Sequence, residues 1–295
     1  MFLDLVREKL LFLISTPLYT FFIGGEILLS FLHNRKLYTT KGTLVNFWLS
    51  TVNLSLDLLL RGFVLVFFAC FFKFHFTLIK TPWIYWLVLL FTEDFLFYWL
   101  HRVDHFCRLF WAVHVTHHSS QEFNLTIGFR SSVFQPLYRF IWFLPLPFLG
   151  FNGEDIMLMY AITQIYGILI HTQYINKLGP LEIFMSTPSH HRVHHGANVK
   201  YLDKNMGMVF IFWDKLFGTF QQEDETVKFG LVTNIDQPYH PFKTIFHEWE
   251  AIINDLKKSS TSKAKFMYLF GPPGWSHDNS KKTSKQLREE LKIED

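Results

Sequence analysis

The 295-residue chain reads as an all-α integral membrane protein, with about four or five transmembrane helices and a cytoplasmic, histidine-rich helical cap. Three observations carry that reading. The apolar residues make up 49% of the chain, 35 phenylalanines among them, and gather in long runs rather than dispersing as in a soluble core. A short basic stretch, His33-Asn34-Arg35-Lys36 with Lys41, follows the first run and reads as a cytoplasmic loop. Three histidine clusters then fall on the side of the membrane that this loop assigns to the cytoplasm.

The runs cover residues 10–32, 47–72, 83–100, 133–151 and 156–175, each approaching the roughly 20 residues needed to cross a bilayer. The first follows Arg7 and Lys9 as a signal peptide would. It is too long for one and shows no small-residue cleavage site, so it reads as an uncleaved span. Glu93 and Asp94 interrupt the third run. Gln135, Arg139 and three prolines interrupt the fourth, and a buried core helix is the alternative for the last two. Counting crossings from the basic loop, the third run ends at His101 on the cytoplasmic side. The fourth and fifth form a hairpin that returns His171 to the same side.

Beyond residue 175 no further crossing is needed. Residues 176–180, Asn-Lys-Leu-Gly-Pro, form a turn. Ser189 and Gly196 are candidate caps of a short helix carrying His191, His194 and His195. Residues 208–220 are apolar and aromatic, too short to span, and expected to pack on the membrane face or the cap. From Ser276 the chain reads as a solvated tail. The domains are therefore 1–82, N-terminal spans; 83–275, a histidine-rich domain with further spans; and 276–295, a polar tail. Cys70 and Cys107 lie too differently to pair, which fits a reducing compartment. A net charge of +3 without a basic patch interleaved with aromatics speaks against nucleic acid.

The histidines carry the chemistry. They are His101-x3-His105, His114-x2-His117-His118 and His191-x2-His194-His195, with His171 between the last two clusters. Neutral imidazole offers a lone pair without carrying charge, which makes it the commonest metal ligand near neutral pH. Positions i, i+3 and i+4 share one helix face, so each cluster can address one ion or bridge two. These are too many ligands for one zinc, which takes four when structural and fewer when catalytic, and they suit two six-coordinate ions. The other histidines, His190 included, read as ordinary polar residues. Asp94 shares a face with His101 and is a candidate hydrogen-bond partner for a ligating imidazole, with Asp104, Glu122 and Asp203 behind it. The chain has no H-E-x-x-H motif, Gly-x-Ser-x-Gly elbow, Walker loop or dinucleotide fingerprint. A centre of neutral ligands at the edge of a lipid phase fits a di-iron oxygenase acting on an apolar substrate. A membrane metal-binding or transport protein and a zinc hydrolase are the rivals from other classes. A transporter would place its ligands at mid-membrane depth, and the hydrolase lacks an evident general base.

The arrangement H-x3-H, H-x2-H-H, H-x2-H-H in a multi-span chain resembles the fatty acid hydroxylase and sterol desaturase superfamily. Tyr98-Trp-Leu-His-Arg102, Trp111-Ala112, His117-His118-Ser119-Ser120 and Asn124-Leu125 are similar to its alkylglycerol monooxygenase-like branch. So are Thr187-Pro-Ser-His-His-Arg-Val-His-His-Gly196, Asp203-Lys204-Asn205, the stretch Trp213 to Thr219, and Gly271-Pro-Pro-Gly-Trp275. The likeness covers most of residues 90–275, and the His190–Gly196 phrase is its most specific part. It implies two iron ions, O2 as oxidant, and hydroxylation or desaturation of a lipid. The implied ligands are His101, His105, His114, His117, His118, His191, His194 and His195, completed by His171, and the resemblance adds Asn205 as a candidate catalytic residue. The branch tends to carry Glu after the second histidine, where this chain has Phe106, so the electron donor stays open among a tetrahydropterin, a ferredoxin and a cytochrome b5-like protein. The implied partners are lipid, O2, the bilayer and a redox protein. The implied location is a bacterial inner membrane or endoplasmic reticulum, with the site on the cytoplasmic face.

Overall fold

Three helices long and apolar enough to cross a membrane, by length and composition, open the chain. In the computed structural model, which describes residues 2–294, they are α1 (Phe2–Leu32), α2 (Thr40–Phe72) and α3 (Pro82–Phe106). Thr39 starts α2 by accepting the Gly42 N–H at 3.0 Å, and Pro82 opens α3 where a missing N–H costs nothing. Leu54, Leu58, Leu59, Phe63 and Val66 of α2 are exposed while Leu49, Val64 and Phe68 are buried. This is the pattern of a helix apolar all round, with one face on protein and the other left to lipid.

The fourth apolar run does not make a continuous helix. It breaks into a tight turn at Gln135–Leu137, then α5 (Arg139–Trp142) and α6 (Pro145–Phe148). Pro136, Pro145 and Pro147 withhold the N–H groups that a longer helix needs. The segment nonetheless travels along α2: Phe140 packs on Phe63 and Phe67, and Phe148 on Phe71. The fifth run gives α7 (Gly153–Leu169), 17 residues, which returns beside α3. Of the four or five expected spans, three helices therefore meet the requirements of length and apolarity among the described residues. Leu89, Phe97 and Leu100 of α3, Ile156 and Met159 of α7, and Phe143 and Leu146 between them form the main core.

Helix α4 (Arg108–His118) follows α3 after one extended residue, Cys107. Later come α8 (Pro188–His194), α9 (Phe212–Phe217), α10 (Pro241–Lys258), α11 (Ser262–Phe270) and α12 (Ser284–Glu294). Thr187, not Ser189, is the N-cap of α8, because Pro188 takes the first helical position. His195, not Gly196, closes it. The 208–220 segment packs on α3, with Phe210 stacked on Phe91 at 4.5 Å and Phe217 on Tyr98 at 5.4 Å. The polar tail is anchored rather than free: Arg288 of α12 donates to the Leu202 carbonyl at 2.7 Å.

Two polar knots hold these parts together. Glu26, buried in α1, accepts from the Tyr38 hydroxyl, the Thr172 hydroxyl and, at 2.8 Å, the Leu125 N–H. Arg108, buried in α4, reaches Glu248 at 2.7 Å and Asp255 at 2.8 Å, both on α10. The basic loop between α1 and α2 docks on the 122–126 segment: the Leu37 carbonyl accepts from Asn124, and Thr39 donates to Glu122. Both cysteines are free.

Candidate metal centre

The helix ends and turns bring all nine candidate histidines into two adjoining groups. His101, His105, His114, His118 and His194 form one, and His117, His171, His191 and His195 the other. Within each group one nitrogen from every ring lies within 4.8 Å of the rest. The i, i+4 pair sits on the last turns of α3, the H-x2-H-H triplets on α4 and on α8 with its cap, and His171 just past α7. The groups are interleaved along the chain, since α4 and α8 each serve both. His190, one residue away, points elsewhere: its Nδ1 accepts the Thr187 N–H at 3.4 Å.

The second ring nitrogen decides what each imidazole presents. His101 Nδ1–H donates to the Met206 carbonyl at 2.7 Å, His171 to Gly167 at 2.7 Å, His194 to Lys204 at 2.9 Å and His117 to Arg130 at 3.1 Å. A carbonyl accepts and never donates, so the proton must reside on Nδ1 and Nε2 is left as a lone pair. Their Nε2 atoms are aimed at other imidazole nitrogens: His171 lies 3.3 Å from His117 and 2.8 Å from His191, and His101 3.0 Å from His114. The buried Nε2 atoms of His105, His194 and His195 have no hydrogen-bond partner. Converging lone pairs repel unless a cation sits among them. Both groups therefore fit a metal ion, and the donor set, neutral nitrogen throughout, fits a transition metal. Burial, followed by crowding from neighbouring imidazoles, pushes His114, His118, His191, His194 and His195 well below the ordinary histidine range, and His117 likewise. They stay neutral and ready to ligate.

The candidate supporting acids fall differently from the sequence reading. Asp94 touches no imidazole. Its carboxylate is taken up by the Val209 and Phe210 N–H groups at 2.8 and 3.1 Å and by Trp213 Nε1 at 3.0 Å. It anchors the loop whose Met206 carbonyl fixes His101, because a buried carboxylate at that depth collects every free backbone donor nearby. Asn205 is not at the centre either. Its amide ties the Gln221 N–H and carbonyl to the His190 carbonyl, holding a turn at φ 54°. Asp203 instead faces an imidazole, 3.4 Å from His105 Nδ1, and Asp104 lies 3.9 Å from His114 Nδ1. Glu122 binds Thr39 and Tyr239. Phe106 is exposed beside Arg102, off the histidine face.

Two arginines escaped the sequence reading. Arg130 is 1% exposed and spreads over the Thr116 carbonyl, Ser119 Oγ and Asn46 Oδ1 at 2.8–3.2 Å, while its own carbonyl receives His117. Burial lowers its pKa to about 10, still charged at neutral pH. Arg192, between two α8 histidines, makes a two-pronged pair with Glu223. The usable signal was a cation flanked by apolar or ligating residues, which has to find a buried acceptor. Trp111 walls the five-histidine group, 5.1 Å from His105, and Phe123 walls the other, 5.2 Å from His195. Phe123 stacks on Phe229, which lines a polar cleft of about 590 Å³ with Gln173, Lys177, Arg192 and Glu223.

Residues 86–219, which hold this scaffold's two imidazole groups, match the family model of the fatty acid hydroxylases. Homologues of the chain include the alkylglycerol monooxygenases. The chain is 41% identical to the Homo sapiens protein over 196 residues, 66% of this chain and 43% of that one. It is 35% identical to the Danio rerio protein over 215 residues, 69% of this chain and 46% of that one. Mus musculus lathosterol oxidase is more distant, 29% identical over 136 residues, 45% of this chain and 43% of that one. The chain thus spans under half the length of these relatives. No solved structure matches it.

Proposed function

We propose that the chain is a membrane-bound non-haem di-iron oxygenase that hydroxylates an alkyl chain of a lipid with O2. The observation that carries this is the pair of adjoining groups of five and four imidazoles, each with lone pairs turned inward. Iron held there would supply O2 activation and removal of hydrogen from a C–H bond. The residues of this chain set the conditions for that chemistry. Backbone carbonyls on Nδ1 hold the ring orientations, and Trp111 and Phe123 keep water off the ligating nitrogens. Phe97, whose ring lies 5.5 Å from His101, joins the centre to the apolar core between α3 and α7, a suitable surface against which to position an alkyl chain. The polar cleft near the four-histidine group suits the opposite end of an amphiphile. The likeness to alkylglycerol monooxygenases favours a carbon next to an ether oxygen. The basic loop docked beside the histidines supports a cytoplasmic centre in a multi-pass protein, with electrons from a pterin or a redox protein.

Protein purified without oxygen should contain about two irons per chain, coupled in the Mössbauer spectrum, and should place an atom of isotopically labelled O2 in an ether lipid. Zinc alone, with no turnover after ferrous iron is added, overturns the proposal. The lathosterol oxidase likeness supports desaturation as the second reading, and product analysis separates the two: a new C=C bond without incorporated label.

A further inference from the structure

Helix α10 has one face that packs on the fold and a separate apolar row that the fold leaves largely uncovered. Thr244, Ile245, Ile252 and Asp255 are buried, and with Glu248 they form the side that packs on α4 and α2. Phe242, Phe246, Trp249, Ile253 and Leu256 recur at helical spacing and make a second row, confined to about 80° of arc at 100° per residue. Phe242, Phe246 and Ile253 in that row are 59%, 38% and 50% exposed. Lys243, Glu250, Asn254, Lys257 and Lys258, all exposed, border it on one side.

What covers the row follows from where it leads. The Phe242 ring lies 5.7 Å from Trp48, a half-exposed residue of the candidate span α2, so the row continues the apolar surface that α2 turns to lipid. Helix α11, which packs beside α10, adds Phe266 and Phe270, which are exposed with rings 5.0 Å apart. At the end of α10 and on α11, Lys257, Lys258, Lys263 and Lys265 are all exposed. Apolar row, aromatic edge and flanking lysines together match the chemistry of a bilayer interface. We infer that α10 and α11 lie in the membrane interface, the row at the acyl-chain boundary and the lysines among the headgroups.

The seating reaches the histidines through the opposite face. Arg108 ties Glu248 and Asp255 of α10 to α4, which supplies His114, His117 and His118. The depth of α10 in the interface thereby sets the height of the centre above the membrane. This does not depend on which metal the centre holds.

The test is spin labelling of the full chain in vesicles. Cys70 and Cys107 are replaced by alanine and one nitroxide is placed at Phe246→Cys, Ile253→Cys or Asn254→Cys. Collisions are measured with O2, which concentrates in lipid, and with a water-soluble nickel chelate. The ratio of O2 to nickel collisions should be about tenfold higher at 246 and 253 than at 254. High nickel access at 253 means the row faces water, and low access to both reagents means another protein or a second copy covers it. Either result overturns the inference. The unsubstituted chain gives an independent reading: a carbene reagent dissolved in the bilayer should modify peptides spanning 242–256, and no modification there sinks the idea even if a labelled variant misfolds.

Discussion

Asp203 allows a perturbation that should separate the two histidine groups. Its Oδ1 lies 3.4 Å from His105 Nδ1, its side chain is 17% exposed and its φ is 53°. Asn and Gly adopt that left-handed backbone readily, so Asp203→Asn and Asp203→Gly change the chemistry without straining the turn. A carboxylate orienting a ligating imidazole is worth about 10–100-fold in metal affinity. Asp203→Asn keeps an acceptor oxygen and loses only the charge, so about tenfold is expected of it. Asp203→Gly removes the acceptor and should approach 100-fold, about 2.7 kcal/mol. His105 belongs to the five-histidine group alone, so the affinity of the other group should stay put. The assay is chelator competition on the intact, detergent-solubilised protein, with retained metal counted by elemental analysis. Two release steps are expected, one of them displaced in each variant by the stated factor. Equal displacement of both steps, or none in Asp203→Gly, refutes the assignment of Asp203 to one group.

Three other outcomes follow from the same geometry. His191→Ala leaves three imidazoles in the smaller group, so metal content should fall to about half while the protein stays in the membrane; unchanged content would remove His191 from the ligands. Arg108→Met strands Glu248 and leaves Asp255 only Lys281 at 2.7 Å. The cost should sit near the low end of the ~3–5 kcal/mol for breaking a buried pair, read from denaturant unfolding in detergent, and an unshifted midpoint would refute the clamp. Metal-free protein should lose stability in acid. The imidazoles of α4 and α8 are held neutral when folded, with pKa values below the ordinary 6.5. The unfolded chain therefore takes up protons first as pH falls through about 6.5, and stability declines below that point. A midpoint that is flat between pH 7 and 5 would contradict the burial of these rings.

The histidine positions were legible because their spacing is chemistry written in one dimension: i, i+3 and i+4 must share a helix face. Their division into five and four was not, since it depends on where α3, α4, α7 and α8 end relative to one another. Asp94 illustrates the limit. Its heptad spacing from His101 is visible in the sequence, but which donors reach it depends on a loop more than a hundred residues later. The fourth apolar run shows the reverse, for its prolines were in plain view and mean hydropathy outweighed them. The N-cap of α8 lies two residues before Ser189 because Pro188 fits the first helical position better than Ser189 fits the cap.

Glu26 has a consequence for the order in which the protein is made. Its carboxylate rests inside α1 and is satisfied by Leu125 and Thr172, 99 and 146 residues further along the chain. When α1 and α2 leave the ribosome only Tyr38, in the loop between them, is at hand to donate to Glu26; the Leu125 and Thr172 donors do not yet exist, and a buried acid short of partners is costly. The first helix therefore cannot take its final seat by itself. Its set of bonds is completed only when α7 has been synthesised and Thr172 arrives beside His171. Its docking is then a late step of biogenesis, made in the same event that brings the last of the histidines together.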